Sequence, residues 1–287
     1  MFQSRKITFI GPGNMAGAII YGLIKQNVAP AKSLIAAGPY QYELDALNEA
    51  YGIVGYSNNL EAAQLADVVV LSVKPQTLDT VLAELKGKLA TTTLILSIVA
   101  GTSIEKISTG LDHRVIVRSM PNTPAQIGEG ITVWMPSPQV SEEQVEMTRQ
   151  ILGALGDQVR VDDEDYLDMA TALSGTGPAY VFLFMEAMVD AGVHLGFPRR
   201  IAEQLVTQTV RGSVNYFDHR EDPVHLARLR NEVTSPAGTT AAALYYLEKA
   251  GFRTAISRAI WAAYERSRGL GKGVESRPPE RSNSNNS

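Results

Sequence analysis

The chain has 287 residues, of which 45% are hydrophobic and 20% charged, with a formal net charge of −4. That length holds one large or two medium domains, and the mild acidity excludes nucleic acid or an anionic membrane surface as the expected partner. There are no cysteines, which excludes disulfides, thiolate metal sites and cysteine nucleophiles, and a cytoplasmic protein is expected.

The strongest signal is I-T-F-I-G-P-G-N-M-A-G-A at 7–18. Residues 6–10 are an apolar, β-branched run of the kind that forms a buried strand. Gly11-x-Gly13-x-x-Ala16 is a turn, and 16–25 carries apolar residues at helical spacing. Strand, glycine turn and helix in this order form the phosphate loop of a dinucleotide-binding fold, with Ala in the third small position. Gly11 permits the tight turn, Gly13 lets a pyrophosphate approach the backbone, and Ala16 lets the helix pack on the strand. The free N–H groups and positive dipole end of that helix face the phosphates.

Further strand-like runs at 33–37, 67–73, 93–99, 114–119 and 130–135 alternate with helical stretches at 14–26, 41–50, 60–65, 78–89 and 103–109. A last helix at 141–155 and strand at 158–161 close the sheet. This alternation predicts an α/β fold, a Rossmann-type doubly wound parallel sheet. The run at 67–73 is apolar almost throughout, which suits a central strand covered on both faces. After residue 162 only helices are predicted, at 167–173, 178–194, 198–217, 223–232, 238–250 and 254–270. The expected organisation is a dinucleotide-binding domain at 1–162, an all-helical domain at 163–272, and a polar, disordered tail at 273–287 with no assigned role.

The helix at 178–193 is apolar nearly all round and must be buried on all sides. Two places can bury it: a partner subunit, which the small helical domain favours, or the centre of the monomer's own core. The apolar run at 179–193 contains Glu186 and Asp190 and is too short to span a bilayer, so no membrane is expected.

Ligands of an open parallel sheet lie outside the carboxyl ends of its strands. After the second strand comes Ala37-Gly38-Pro39-Tyr40, without the acid that bonds ribose hydroxyls in NAD-specific sites. A 2′-phosphate meets no repulsion there, though no Arg or Lys attracts it. Asn59 follows at the next loop, either near the adenine ribose or as an ordinary loop amide. The strand at 67–73 leads to Lys74-Pro75, where the lysine either attracts phosphate or sets the loop. Ala100-Gly101 is small enough to admit a flat ring, and Met120-Pro121-Asn122-Thr123-Pro124 is a rigid loop beside the expected nicotinamide or a plain turn. In the helical domain, Ser174-Gly175-Thr176-Gly177-Pro178 opens the apolar helix. At Thr234-Ser235-Pro236-Ala237-Gly238-Thr239-Thr240, Ser235 reads as an N-cap with Pro236 at the first helical position. The further Gly238-Thr239-Thr240 makes that helix start a candidate carboxylate site. The four histidines show no ligand spacing, so no metal is expected, and the chemistry falls to the cofactor.

Together these residues resemble the pyrroline-5-carboxylate reductase family. The matching motifs are F-I-G-P-G-N-M-A at 9–16, V-K-P at 73–75, A-G at 100–101, M-P-N-T-P at 120–124, L-S-G-T-G-P-A-Y at 173–180 and V-T-S-P-A-G-T-T at 233–240. They stand in family order and cover the chain to about residue 270; the last two are specific to the family and the first is generic. The resemblance implies reduction of Δ1-pyrroline-5-carboxylate to L-proline with NADPH or NADH. It implies a homodimer through the helical domains, commonly five dimers in a ring, with sites drawn from both subunits. It assigns the dinucleotide to Ile10, Gly11, Pro12, Gly13, Asn14, Met15, Ala37, Asn59, Ser72, Val73, Lys74, Pro75, Ile98, Val99 and Ala100. It assigns the substrate to Ser235, Gly238, Thr239 and Thr240, with the Thr240 hydroxyl on the ring nitrogen as the catalytic contact. The family often has Gly-Gly after Ser-Pro, and here Ala237 takes the first place. One rival, a β-hydroxyacid dehydrogenase, requires a lysine in the apolar helix, and 173–193 contains none. The other is a non-catalytic nucleotide sensor.

Overall fold

The computed structural model describes residues 2–220 and 224–271; the predicted tail and the first residue of the helix predicted at 223–232 lie outside them. By packing, the chain divides into two compact units: residues up to Thr176 together with the chain from Ala262, and Gly177–Trp261. The change from strands to helices near residue 163 therefore precedes the change of packing unit by about one helix.

In the first unit the order is β1 (Ile7–Ile10), α1 (Asn14–Lys25), β2 (Leu34–Ala37), α2 (Gln41–Tyr51), β3 (Val54–Tyr56), α3 (Asn59–Gln64), β4 (Val68–Leu71) and α4 (Pro75–Leu85). It continues through β5 (Leu94–Ser97), α5 (Ile104–Leu111), β6 (Ile116–Met120), β7 (Gly130–Pro136), α6 (Glu142–Gly153), β8 (Gly156–Arg160) and α7 (Asp165–Ala170). The eight strands form one sheet in the order β3-β2-β1-β4-β5-β6-β7-β8. β1, β2, β4 and β5 run parallel in close register, with Ile10 opposite both Ala37 and Leu71, and Leu71 opposite Ser97. Their carboxyl ends thus share one edge.

Two features depart from the sequence expectation. β3 was absent from the predicted strands: Val54-Gly55-Tyr56 is too short and too exposed to show periodicity. β7 pairs antiparallel with β6, not parallel, because their connection holds only the short turn Thr123–Ile127 and no crossover helix. Elsewhere the doubly wound pattern holds. Phe9, Leu34, Val70, Trp134 and Ile151 pack on one face of the sheet, and Ile10, Ile35, Leu71, Leu82 and Ile107 on the other. Adjacent residues of β1 and β4 serve opposite cores, which is why those strands read as unbroken apolar runs.

A π-helical turn, Thr171–Gly175, leads into the helices α8 (Gly177–His194), α9 (Arg199–Asp218), α10 (Leu226–Glu232), α11 (Thr239–Lys249) and α12 (Phe252–Gly271). Among the described residues of the second unit, the buried core cluster is Val189, Ala202 and Val206. Phe182 and Leu183 of α8 are 63% and 66% exposed. The alternative that α8 is the central core helix of a monomer is therefore excluded. Asp190 and Arg199 pair at 2.8 Å and tie α8 to α9. The helical run Asp165–His194, 30 residues containing an 18-residue stretch of mean hydropathy 1.2, is long and apolar enough to cross a membrane by length and composition. It exceeds the length read from the sequence because α7 and the π-helical turn continue directly into α8.

Candidate active site

The phosphate loop leaves β1 at Ile10 through Gly11, whose φ is +97°, a region costly for any residue with a Cβ. Its N–H donates to the Ala37 carbonyl at 2.9 Å. A Cβ there would press on Val73 Cγ1 at 2.7 Å, so only glycine fits. Ser72 Oγ lies 3.0 Å from the Ile10 carbonyl and 2.8 Å from that of Gly11, bracing the loop from the next strand. Gly13 is the N-cap of α1, and no side chain caps that helix. The first N–H groups of α1 therefore remain available to a ligand. A Cβ added to Gly13 would meet nothing within 4 Å, and Gly13 and Asn14 are exposed. Ile10 and Pro12 are buried and Met15 packs on the core, so these three shape the loop from beneath.

The remaining predicted cofactor contacts gather along the same carboxyl edge. Ala37 is fully buried in the sheet core and offers only its carbonyl, already taken by Gly11. Lys74 is the N-cap of α4 with Pro75 at its first turn; its carbonyl accepts from Thr77 Oγ1 at 3.0 Å and its side chain is exposed. Ile98-Val99-Ala100 follow β5, with the Val99 N–H donating to Ser97 Oγ at 3.3 Å. Asn58, not Asn59, caps α3, accepting from the N–H groups of Leu60 and Glu61. That leaves Asn59 free for another task. Its Nδ2 donates to Glu84 Oε2 at 2.9 Å, and its Oδ1 is buried without a partner. A buried acceptor left open fits a donor such as a ribose hydroxyl. The uncapped α1 terminus, the bare Gly13 and this orphaned oxygen together fit a dinucleotide.

The loop after β6 is fixed by bonds that the sequence did not announce. Asn122 Oδ1 accepts from the Ile131 N–H at 3.0 Å, and its Nδ2 donates to the Ser174 carbonyl at 3.2 Å. Two residues before the loop, Arg118 is 4% exposed and pairs with Glu164 and Asp168, each at 2.9 Å. Glu164 also accepts from the Ile104 N–H, and Asp168 from Ser267 Oγ at 2.8 Å. A charged residue inside the run I-V-R-S-M was the one available signal, since an arginine is buried only where partners meet it.

In the helical unit the predicted substrate residues form one loop and one helix start. Sequence reading placed the N-cap at Ser235; the structure places it at Gly238, with α11 starting at Thr239. Ser235 to Gly238 is instead a turn closed by the Gly238 N–H on the Ser235 carbonyl at 3.1 Å. Pro236 takes its second position and Ala237 its third, at φ +57°. That is the pattern of a type II turn, whose third position favours glycine. No side chain caps α11, so its first N–H groups are open, with Thr239 and Thr240 on that turn. An added Cβ at Gly238 would strike Ser235 Oγ, so a larger residue there would displace that hydroxyl.

The family model for pyrroline-5-carboxylate reductase dimerisation matches residues 164–270. A reductase of this name from Synechocystis sp. is 42% identical over 94% of this chain and 100% of its own. The chain belongs to the pyrroline-5-carboxylate reductase family. The Pseudomonas aeruginosa enzyme of that name is also 42% identical, over 91% of this chain and 95% of its own. The model of F420-dependent NADP oxidoreductases matches residues 6–101, which span the phosphate loop through Gly101. A crystal structure of the Plasmodium falciparum pyrroline carboxylate reductase with NADP bound superposes with a TM-score of 0.86 at 33% identity, covering 94% of this chain and 100% of that one. The reductive aminase from Aspergillus terreus, at 15% identity and a TM-score of 0.59, shares the fold. The dimerisation model covers the helices that leave the apolar surface of α8 exposed, and supports oligomerisation.

Proposed function

We propose a division of labour for the reaction of this family, the reduction of pyrroline-5-carboxylate to proline with NAD(P)H. The phosphate loop Gly11–Met15 and the α1 terminus hold the pyrophosphate through N–H groups. The open acceptor of Asn59 takes a ribose hydroxyl, and Ser72–Pro75 and Ile98–Ala100 line the edge along which the dinucleotide lies. Bound NAD(P)H supplies the hydride that adds to C5 of the ring imine. The chain's own part is to hold the imine. The N–H groups at the α11 start bind its carboxylate, Ser235 and Gly238 shape the turn beneath it, and the Thr240 hydroxyl bonds the ring nitrogen. An imine nitrogen protonates easily, so this arrangement needs no strong protein acid.

The observation that carries the reading is the uncapped α11 terminus with two threonines on its first turn, in a chain that aligns with a relative of this family over 94% of its length. NADPH serves at least as well as NADH, because no acid lies between Ala37 and Tyr42 to repel a 2′-phosphate. The assembly is a homodimer through the helical units, built into a pentamer of dimers. The partner, and not lipid, covers α8, and the enzyme is cytoplasmic.

Thr240→Val tests the substrate assignment, since it keeps the β-branched shape and removes the hydroxyl. Loss of one orienting hydrogen bond of roughly 1–3 kcal/mol lowers kcat/KM about ten- to hundredfold. NADPH affinity stays at the wild-type value in a direct titration. Wild-type turnover by the valine variant would reduce Thr240 to a packing residue.

A further inference from the structure

The adenosine end of a dinucleotide meets the loop after the second strand, where its ribose hydroxyls are read. Here that loop is Ala37-Gly38-Pro39-Tyr40-Gln41-Tyr42, with no charged side chain. Ala37 and Gly38 are buried, so neither presents a side chain to a ligand. The loop is seated on the phosphate loop: the Gly11 N–H bonds the Ala37 carbonyl, and a Cβ on Gly38 would collide with the Pro12 ring. Beyond this point stand two large aromatic side chains with no core to enter. Tyr40 is 56% and Tyr42 69% exposed, and their rings lie 5.7 Å apart, tilted by 33°. Tyr40 is the N-cap of α2 yet makes no capping bond with its side chain. Tyr42 lines a cleft of ≈ 680 Å³ together with Pro12, Gly13 and Asn14 of the phosphate loop.

We infer that Tyr40 and Tyr42 are the adenine platform of this enzyme, holding the base by ring contact. The inference rests on the reading that the phosphate loop carries the dinucleotide. Aromatic rings outside the core expose apolar area that a planar base covers, and stacking is indifferent to the substituent on the ribose. The pair therefore supplies the affinity that a basic residue provides where 2′-phosphate is recognised by charge, and it supplies it equally to NADPH and NADH. The Glu43 carboxylate beside the Tyr42 hydroxyl, 3.4 Å away, raises the phenol's pKa above its ordinary value.

The test is calorimetric titration of the full-length enzyme with NADPH, NADH, 5′-AMP and reduced nicotinamide mononucleotide. The double variant Tyr40→Ala/Tyr42→Ala is expected to raise Kd about tenfold for NADPH, NADH and 5′-AMP by one common factor. The mononucleotide, which has no adenine, keeps its wild-type Kd. Tyr40→Phe/Tyr42→Phe retains wild-type affinity for all four. Unchanged 5′-AMP binding in the alanine variant overturns the inference. A loss confined to NADPH also overturns it, because that result would mark hydroxyl contacts to the 2′-phosphate. Gly13→Val separates this from failure of the underlying reading: if that variant binds NADPH as the wild type does, the phosphate loop does not hold the dinucleotide and both fall together. Loss of NADPH by Gly13→Val with no effect of the alanine pair removes the platform alone.

Discussion

In the sheet unit, Phe9, Ile10, Val70 and Leu71 lose all contact with water, whereas in the helical unit Phe182 and Leu183 keep about two-thirds of theirs. The two units are built from similar proportions of apolar residues, and the difference lies in geometry. A doubly wound sheet offers two faces to its own helices and closes both cores within one chain. Among the described residues of the helical unit the buried apolar cluster is Val189, Ala202 and Val206, too little to hold its helices. The sheet unit closes its cores within one chain, and the helical unit leaves open the apolar face that the proposed partner covers.

The largest expected effect breaks the second half of that contrast. Leu183→Asp places a charge on the exposed α8 face that the proposed partner covers. A buried unpaired carboxylate costs several kcal/mol, enough to dissociate a dimer. Sedimentation velocity is expected to show a monomer, and turnover is expected to fall at least a hundredfold, on the order of 3 kcal/mol. NADPH titration of the same monomer should return the wild-type Kd, because the phosphate loop is braced wholly inside the sheet unit. A monomer with full turnover would show that the exposed face of α8 has no role in the site.

Arg118→Met sharpens the other half. It leaves Glu164 and Asp168 facing one another around an apolar side chain, where each now bonds the Arg118 guanidinium at 2.9 Å. Removing one partner of a buried ionic cluster costs about 3–5 kcal/mol. The denaturant midpoint should drop accordingly while the sedimentation coefficient stays unchanged, since the damage is internal to a unit that does not depend on its partner. A shift of less than about 1 kcal/mol would mean that water or local rearrangement solvates the two acids, and that the cluster is not a closed part of the core.

What the sequence disclosed follows the same division. The phosphate loop, the alternation of strands and helices and the two-sided burial of β4 are local or periodic properties, and a single chain displays them. β3 escaped because three residues carry no period, and the antiparallel turn of β7 depends on the length of one connection. Arg118 and Asn122 were overlooked or left as turn residues because Glu164, Asp168 and Ser174, which their side chains bond, lie 46 to 52 positions further along the chain. In the helical unit the apolar character of α8 was legible and its burial by a partner was the favoured reading. The helix at 238–250 was read to within a residue, but its N-cap was misplaced by three, at Ser235 and not Gly238, since Ser-Pro is equally the opening of a helix and of a tight turn, and only the positive φ of Ala237 decides between them.

That same alanine yields the smallest effect. At φ +57° Ala237 sits in the left-handed region, which costs a residue with a Cβ roughly 1 kcal/mol relative to glycine. Ala237→Gly relieves that strain in the folded chain. It also adds conformational freedom to the unfolded chain, which costs about 0.4–1 kcal/mol. The two terms oppose and nearly cancel, so the melting temperature should move by no more than about 2 °C. The proposed substrate turn is affected differently, because its competing conformations are all folded ones. Glycine there populates several backbone states where alanine is held in one by Pro236 on one side and the Gly238–Ser235 bond on the other. Ordering that turn on substrate binding then costs more, and KM for pyrroline-5-carboxylate should rise about two- to threefold with kcat and NADPH affinity unchanged. A fall in KM would reverse the argument: strain at Ala237 would then oppose the bound shape of the turn, and the helical unit would carry a second, local incompleteness besides its uncovered face.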